Sequence, residues 1–193
     1  MTKLNAKQLR ALRDEGIADK IDRRPLYFIL DNIYDTYNIG GLFRLADALA
    51  VSKLYICGKS DTPPNHKIQK ASIGTYKVVP WEYHQKTTQT ISNLKSQIPA
   101  PNKPQRMSGE VGSNLQIVAI EQDKKAIPYT EFTYTTPLAF VVGHETDGVS
   151  KEVLNMCDAI VDIPMHGINT SLNVIVATAI VAYYADQRLT TNI

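Results

Sequence analysis

The chain has few of the residues and patterns that mark secreted, metal-binding or membrane-embedded proteins. It has only two cysteines, Cys57 and Cys157, without CxxC spacing, so the sequence predicts neither a disulfide framework nor a metal site. The first ten residues, MTKLNAKQLR, lack the apolar core of a signal peptide. No run approaches the ~18 apolar residues that a membrane span needs. We therefore expect a cytoplasmic protein with reduced thiols and no membrane partner.

Three common enzyme signatures are also missing. The glycines do not form the GxGxxG spacing of dinucleotide-binding folds, and there is no P-loop. Ser171 lacks the GxSxG context of a nucleophile elbow. These absences argue against a dinucleotide-dependent enzyme, a P-loop NTPase and a serine hydrolase.

The composition is that of an ordinary globular protein, with 193 residues, 44% hydrophobic and 21% charged residues. A net charge of +2 does not by itself indicate a nucleic-acid partner. Lysines and arginines are concentrated in residues 1–24, however, where we predict a basic helical extension, with its helix at residues 3–18. Such an arm can contact a phosphate backbone, although a solvated helix face is the commoner role. Residues 25–193 are predicted to form one domain.

Apolar runs alternate with helical patterns along this domain. Strands are predicted at residues 26–30, 53–57, 76–79, 115–120, 138–143 and 160–163. Helices are predicted at residues 42–51, 65–72, 83–97, 149–156 and 172–184. Strands that are apolar throughout are typical of a parallel sheet buried on both faces, so we expect an α/β fold, mostly parallel, with helices on both faces. Residues 98–114 form the one long loop, predicted to be a mobile insertion.

Ligands of such sheets bind at the carboxyl ends of the strands. After Leu30, Asn38 is a candidate helix cap, followed by glycines that permit close approach of the backbone to a ligand. Arg44 lies near the start of the same helix, where its charge opposes the helix dipole and suggests an anionic ligand. The alternative is that Arg44 is simply exposed.

Two further loops carry candidate side chains. His144 follows the strand that ends at Gly143 and is either an acid–base residue or structural, while Glu145 is the stronger candidate because it could orient an arginine or a ligand. Ser171 is the predicted N-cap of a last helix that is apolar all round, so this helix should lie inside the protein or in a subunit interface. Two alternatives are open for Ser171 and Asn173. Either Ser171 caps the helix and Asn173 pairs with a loop, or both residues face a ligand.

Three segments together resemble a known family. Residues 38–44 are NIGGLFR, residues 140–150 are FVVGHETDGVS, and residues 163–177 are IPMHGINTSLNVIVA. In this order and spacing they are similar to the SpoU (TrmH-type) branch of the SPOUT superfamily of tRNA/rRNA 2′-O-ribose methyltransferases. The resemblance spans roughly residues 26–184. One departure is Gly41, where many members have another residue.

The resemblance implies a C-terminal deep trefoil knot within residues 25–193, the SPOUT α/β-knot domain. It implies S-adenosylmethionine as cofactor, S-adenosylhomocysteine as product, and a homodimer that methylates a ribose 2′-hydroxyl of RNA, with tRNA favoured over rRNA. The alternative is a non-catalytic RNA-binding homodimer that retains the fold.

The resemblance also assigns site residues. The implied catalytic residues are Asn38, Arg44, Glu145, Ser171 and Asn173. The implied cofactor-binding residues are Ala119, Ile120, Val142, Gly143, His144, Ile163, Met165 and Leu172. We expect Arg44 to bind an RNA phosphate and stabilise the developing alkoxide while Glu145 and Asn38 hold its guanidinium, since an arginine with a pKa above ~12 is a poor general base.

Overall fold

The computed structural model describes residues 20–98 and 115–191, and within them the chain forms a seven-stranded sheet whose pairings are all parallel. The strands are β1 (Arg24–Asp31), β2 (Val51–Cys57), β3 (Trp81–His84), β4 (Gln116–Ile120), β5 (Ile127–Pro128), β6 (Leu138–Gly143) and β7 (Ala159–Asp162). Their order across the sheet is β3-β2-β1-β6-β4-β7-β5. The predicted parallel α/β fold is confirmed.

Five helices are described, and they lie on both faces of the sheet. They are α1 (Thr36–Ala48), α2 (His66–Ser72), α3 (Thr87–Gln97), α4 (Lys151–Leu154) and α5 (Val174–Thr191). Side chains of a strand alternate between faces, so Phe28 and Leu30 of β1 pack with α1, α2 and α5, while Ile29 packs with α3 and α4. This burial on both faces explains the continuous apolar runs in the sequence.

Helix α1 begins earlier than the sequence pattern indicated. The side chain of Asp35 accepts a hydrogen bond from the Tyr37 amide (2.8 Å), so Asp35 is the N-cap and the predicted cap, Asn38, lies inside the first turn. Gly41 allows α1 and α5 to approach closely, because a Cβ built there would lie 2.3 Å from Cδ1 of Ile175.

The third strand was predicted in the wrong place. Thr75–Lys77 is a short 3₁₀ turn, and the strand is Trp81–His84, so the following helix begins at Thr87 rather than at residue 83. Pro80 has no N–H to donate, so it joins the ladder only through its carbonyl, which accepts from the Leu54 amide (2.9 Å), and the register with β2 begins at Trp81.

The last helix differs from its prediction at both ends and on one face, since it runs from Val174 to Thr191 rather than over residues 172–184. Asn173, not Ser171, caps it, because Oδ1 of Asn173 accepts from the Ile175 amide (2.9 Å). Its inner face is buried, but Val176, Ile180 and Tyr183 are 46%, 36% and 49% exposed. The helix is therefore not enclosed by its own chain.

Two predictions lie wholly or largely outside the described residues: the helix at residues 3–18 and the loop at residues 98–114. Among the helices that the structure describes, none has the length and apolar character needed to cross a membrane. Both cysteines are free, and burial raises the pKa of the Cys57 thiol to about 11.

Candidate active site

A cavity of about 590 Å³ opens at the carboxyl ends of β4, β6 and β7. Many of the predicted site residues line it, namely Ile120, Val142, Gly143, His144, Glu145, Ile163, Met165, Ser171, Leu172 and Asn173. Ala119 is buried within β4, one residue before the cavity wall begins. Asn38 and Arg44, on α1, are not part of the wall. Its wall combines apolar side chains, such as Ile120, Val142 and Leu172, with polar ones, such as Glu121 and Asp162.

Four groups from three distant segments form a chain of hydrogen bonds at the mouth of this cavity. The Ile175 amide donates to Oδ1 of Asn173 (2.9 Å), and Nδ2 of Asn173 donates to Oδ1 of Asn38 (2.9 Å). Nδ2 of Asn38 then donates to Oε1 of Glu145 (2.9 Å). We call these four groups the amide relay. It joins the start of α5, the first turn of α1 and the loop after β6.

The direction of the amide relay is fixed by chemistry. An ionised carboxylate only accepts hydrogen bonds, so Asn38 must turn its NH₂ group toward Glu145 and its oxygen toward Asn173. Asn173 must then turn its NH₂ group toward Asn38, which leaves its oxygen to cap α5. Each amide therefore uses both ends. Reversal of Asn38 would break its bond to the carboxylate, and reversal of Asn173 would break its bonds to Asn38 and to the Ile175 amide.

Glu145 is anchored by the turn before α1 as well as by the amide relay. Its Oε1 also accepts from the Asp35 amide (3.1 Å), and its Oε2 accepts from the Tyr34 amide (3.3 Å). Partial burial raises the pKa of the Glu145 carboxyl, but the hydrogen bonds from Asn38 and from backbone amides outweigh that effect, so the net pKa is lowered. Glu145 therefore holds the 34–38 turn as an ionised acceptor.

His144 holds its own loop closed. Its Nδ1 accepts from the amides of Thr146 (3.1 Å) and Asp147 (3.0 Å), which places the proton of the neutral ring on Nε2. Backbone bonds run in both directions between His144 and Gly148, at 3.1 and 2.9 Å. The imidazole thus has a structural role, in line with one of its two predicted roles.

Glu121 lies at the cavity wall but is not among the predicted site residues. Its Oε2 accepts from the Val149 amide (2.7 Å), and a Cβ at Gly148, where φ is +68°, would lie 2.2 Å from that oxygen. The signal was present, since Glu121 directly follows Ile120 at the carboxyl end of β4. It was overlooked because no recognised motif includes it.

The expected pairing of Arg44 with Glu145 and Asn38 is wrong for this chain. Glu145 instead bonds to Asn38 and to backbone amides. Arg44 is exposed on α1, and in the part of the chain that the structure describes it forms no hydrogen bond or ion pair. Its guanidinium is consequently accessible to an anion. Among the same residues, no cluster of three or more His, Cys, Asp or Glu side chains could hold a metal ion.

Comparisons with known proteins agree with this architecture. The SpoU rRNA Methylase family model matches residues 25–183. A tRNA (guanosine(18)-2′-O)-methyltransferase of Aquifex aeolicus is 30% identical over 183 residues, which cover 94% of this chain and 77% of that protein. The crystal structure of the A. aeolicus TrmH/SpoU tRNA modifying enzyme superposes with a TM-score of 0.73 at 28% identity, covering 96% of this chain and 84% of that one.

A structure with bound cofactor is also similar. The SpoU methyltransferase AviRb of Streptomyces viridochromogenes, in complex with the cofactor AdoMet, superposes with a TM-score of 0.73 at 25% identity. The match covers 88% of this chain and 63% of AviRb.

Proposed function

The chain belongs to the SpoU rRNA methylase family, and we infer that it is an S-adenosylmethionine-dependent enzyme that methylates a ribose 2′-hydroxyl of RNA. The observation that carries this proposal is the amide relay, because it gathers polar groups from α1, β6 and α5 at one cavity. We propose tRNA as the substrate, since the A. aeolicus relative is a tRNA methyltransferase. A tRNA substrate would place the enzyme in the cytoplasm.

The cavity suits a ligand of the cofactor's size and chemistry. Its volume lies within the range of ~300–1,000 Å³ that is usual for small-molecule sites. Ile120, Val142 and Leu172 offer an apolar wall for a purine ring, and the backbone around Gly143 and Met165 offers hydrogen-bonding groups. When bound, S-adenosylmethionine supplies a methyl group on a positively charged sulfur. The remaining task of the protein is to orient the sugar oxygen.

Arg44 is the proposed anchor for the RNA. As the ribose oxygen takes the methyl group from sulfur, its proton leaves to solvent, and the negative charge that develops on the oxygen is stabilised by a nearby cation. Because Arg44 keeps its charge and is not bonded to Glu145, its planar fork can grip a phosphate with two hydrogen bonds. The Arg44→Lys variant retains the charge but not the fork, so we expect reduced turnover, whereas near-normal turnover would contradict bidentate positioning.

We propose that the enzyme is a homodimer joined through α5. Val176, Ile180 and Tyr183 are spaced by four and three residues, so they form one exposed apolar stripe along the helix, and Leu172 (39% exposed) precedes it. Exposure of such an apolar stripe to water is unfavourable, and contact with a second copy of the chain would bury it. An Ile180→Glu variant should sediment as a monomer, while a wild-type chain that is itself monomeric at micromolar concentration would refute the proposal.

The trefoil knot remains a proposal as well. In its support, the last strand in the chain, β7, lies between β4 and β5 rather than at an edge, and α5 then returns to pack against α1. The basic segment of residues 1–24 is proposed to add RNA contacts. A crystallographic trace of residues 159–191 relative to the loops around them tests the knot.

Two measurements test the activity itself. Calorimetry with S-adenosylhomocysteine should show one site per chain. Mass spectrometry of tRNA and rRNA nucleosides from a deletion strain should show the loss of one 2′-O-methyl mark. Absence of both cofactor binding and the missing mark would instead favour a non-catalytic RNA-binding homodimer.

A further inference from the structure

Tyr34 is an aromatic side chain held beside the cavity with much of its surface open to solvent. It lies in the turn between β1 and α1, and it is 49% exposed. Large aromatic side chains normally bury most of their surface, so one that is exposed next to a candidate active site needs an explanation.

Two residues of the cavity wall fix Tyr34 in place. Its amide donates to Oε2 of Glu145 (3.3 Å), which anchors the backbone. Its ring meets the His144 ring edge-on, with centroids 4.4 Å apart and an interplanar angle of 74°. The imidazole is itself immobilised by two backbone amides. The phenol ring therefore stands in a defined orientation although it is half exposed.

We propose that Tyr34 is an RNA-binding residue whose ring stacks on a base next to the ribose that is methylated. This inference rests on the proposed function. Every nucleobase has a flat π face, and fixed, exposed aromatic rings are the usual platforms for unpaired bases. Tyr34 does not line the cavity, so it is placed to meet the RNA rather than the cofactor's adenine.

Tyr37 provides a matched control three residues away. It is 51% exposed, almost as much as Tyr34. Its amide bonds to Asp35, but within the described residues its ring has no aromatic partner at the cavity wall. A general loss of exposed apolar surface would affect the two positions alike, whereas a stacking platform affects only Tyr34.

The experiment compares Tyr34→Leu, Tyr34→Phe and Tyr37→Leu with wild type. Each protein is tested for methyl transfer from radiolabelled S-adenosylmethionine to a mixture of unmodified tRNA transcripts, for S-adenosylhomocysteine binding by calorimetry, and for thermal unfolding. Tyr34→Leu should raise the KM for RNA by about five- to a hundredfold, the range expected for one lost base–aromatic stack. Tyr34→Phe should behave as wild type, and the Kd for S-adenosylhomocysteine should stay unchanged in all variants.

Three results would overturn the inference. The first is a Tyr34→Leu enzyme with wild-type KM for RNA. The second is an equal rise in KM for Tyr37→Leu, which would indicate a non-specific surface. The third is a weakened Kd for S-adenosylhomocysteine in Tyr34→Leu with RNA binding intact, which would assign the ring to the cofactor. A wild-type chain that transfers no methyl group to RNA would refute the proposed function, and this inference with it.

Discussion

Asn173 has two roles in the structure, and one substitution separates them. Its oxygen caps α5 by accepting from the Ile175 amide, and its NH₂ group bonds to Asn38. An Asn173→Asp variant keeps an oxygen for the cap but replaces the NH₂ donor with a second acceptor. Asn38 cannot adapt by reversing its own amide, because its oxygen would then point at the Glu145 carboxylate. The hydrogen bond between residues 173 and 38 is therefore lost.

The expected magnitudes follow from these contacts. Removal of the cap in Asn173→Ala should destabilise the protein by about 0.5–2 kcal/mol, or roughly 2–4 °C in Tm per kcal/mol for a chain of this size. In Asn173→Asp the cap remains, and a carboxylate at a helix N-terminus adds about 0.3–1 kcal/mol. That gain partly offsets the lost hydrogen bond, which leaves the buried oxygen of Asn38 without its donor at a cost of about 1–3 kcal/mol. The Tm of Asn173→Asp should thus fall by only a few degrees.

Activity should respond differently. If the amide relay positions α1 relative to the cavity, its interruption displaces reacting groups, and a displacement of about 1 Å can cost roughly a hundredfold in rate. We expect Asn173→Asp to lose about that factor in kcat for methyl transfer, with only a small fall in Tm. Asn173→Ser, which also caps but carries no amide or added charge, should show the same loss. A kcat within twofold of wild type in both variants would reduce Asn173 to a helix cap.

Three further perturbations probe the scaffold of the site. Hydrogen bonds lower the folded pKa of Glu145 below the unfolded value of about 4.3. Glu145 should therefore stabilise the protein above that pH and lose this contribution as the pH falls through the folded pKa. The Tm difference between wild type and Glu145→Gln should accordingly shrink between pH 7 and pH 3.5. Asp31→Asn should lower the unfolding free energy by about 1–3 kcal/mol in a urea titration. The reason is that the buried carboxylate accepts from Thr87 Oγ1 (2.6 Å) and from the amide of Ser150 (2.9 Å). An unchanged urea midpoint would contradict this role. Gly148→Ala should lower the unfolding free energy by at least about 1–2 kcal/mol, since φ is +68° and a Cβ would lie 2.2 Å from a carboxylate oxygen. The control is Gly167→Ala, which should leave the Tm unchanged because a Cβ there would have nothing within 4 Å.

The parts of the fold that were predictable are those in which burial alone decides the structure. Strand β6 lies at residues 138–143 as predicted, because a central parallel strand is apolar on both faces. The errors occurred where a single local contact overrides the pattern. Asp35 starts α1 before its apolar periodicity is visible, and the 3₁₀ turn at Thr75–Lys77 moves the third strand to Trp81–His84.

Three predicted residues lie together as expected, although their hydrogen bonds were not predictable. The sequence placed Asn38, Glu145 and Asn173 at the same edge of the sheet. It could not show the order of their hydrogen bonds, because those contacts join residues 107 and 135 positions apart. Charge alone suggested that Glu145 pairs with Arg44. The backbone amides of the 34–38 turn occupy the carboxylate instead, which no sequence pattern indicates.

Helix α5 connects the chemistry of the site to the proposed assembly. Its first turn ends the amide relay through Asn173, and the stripe of Val176, Ile180 and Tyr183 begins less than one turn further along. A helix is rigid over so short a distance, so a partner that immobilises the stripe also immobilises the cap. Hydrogen bonds link Asn173 to Asn38 and Asn38 to Glu145, so a shift of α5 would disturb these contacts. If the chain pairs through α5 as proposed, the geometry of the cavity wall depends on that pairing.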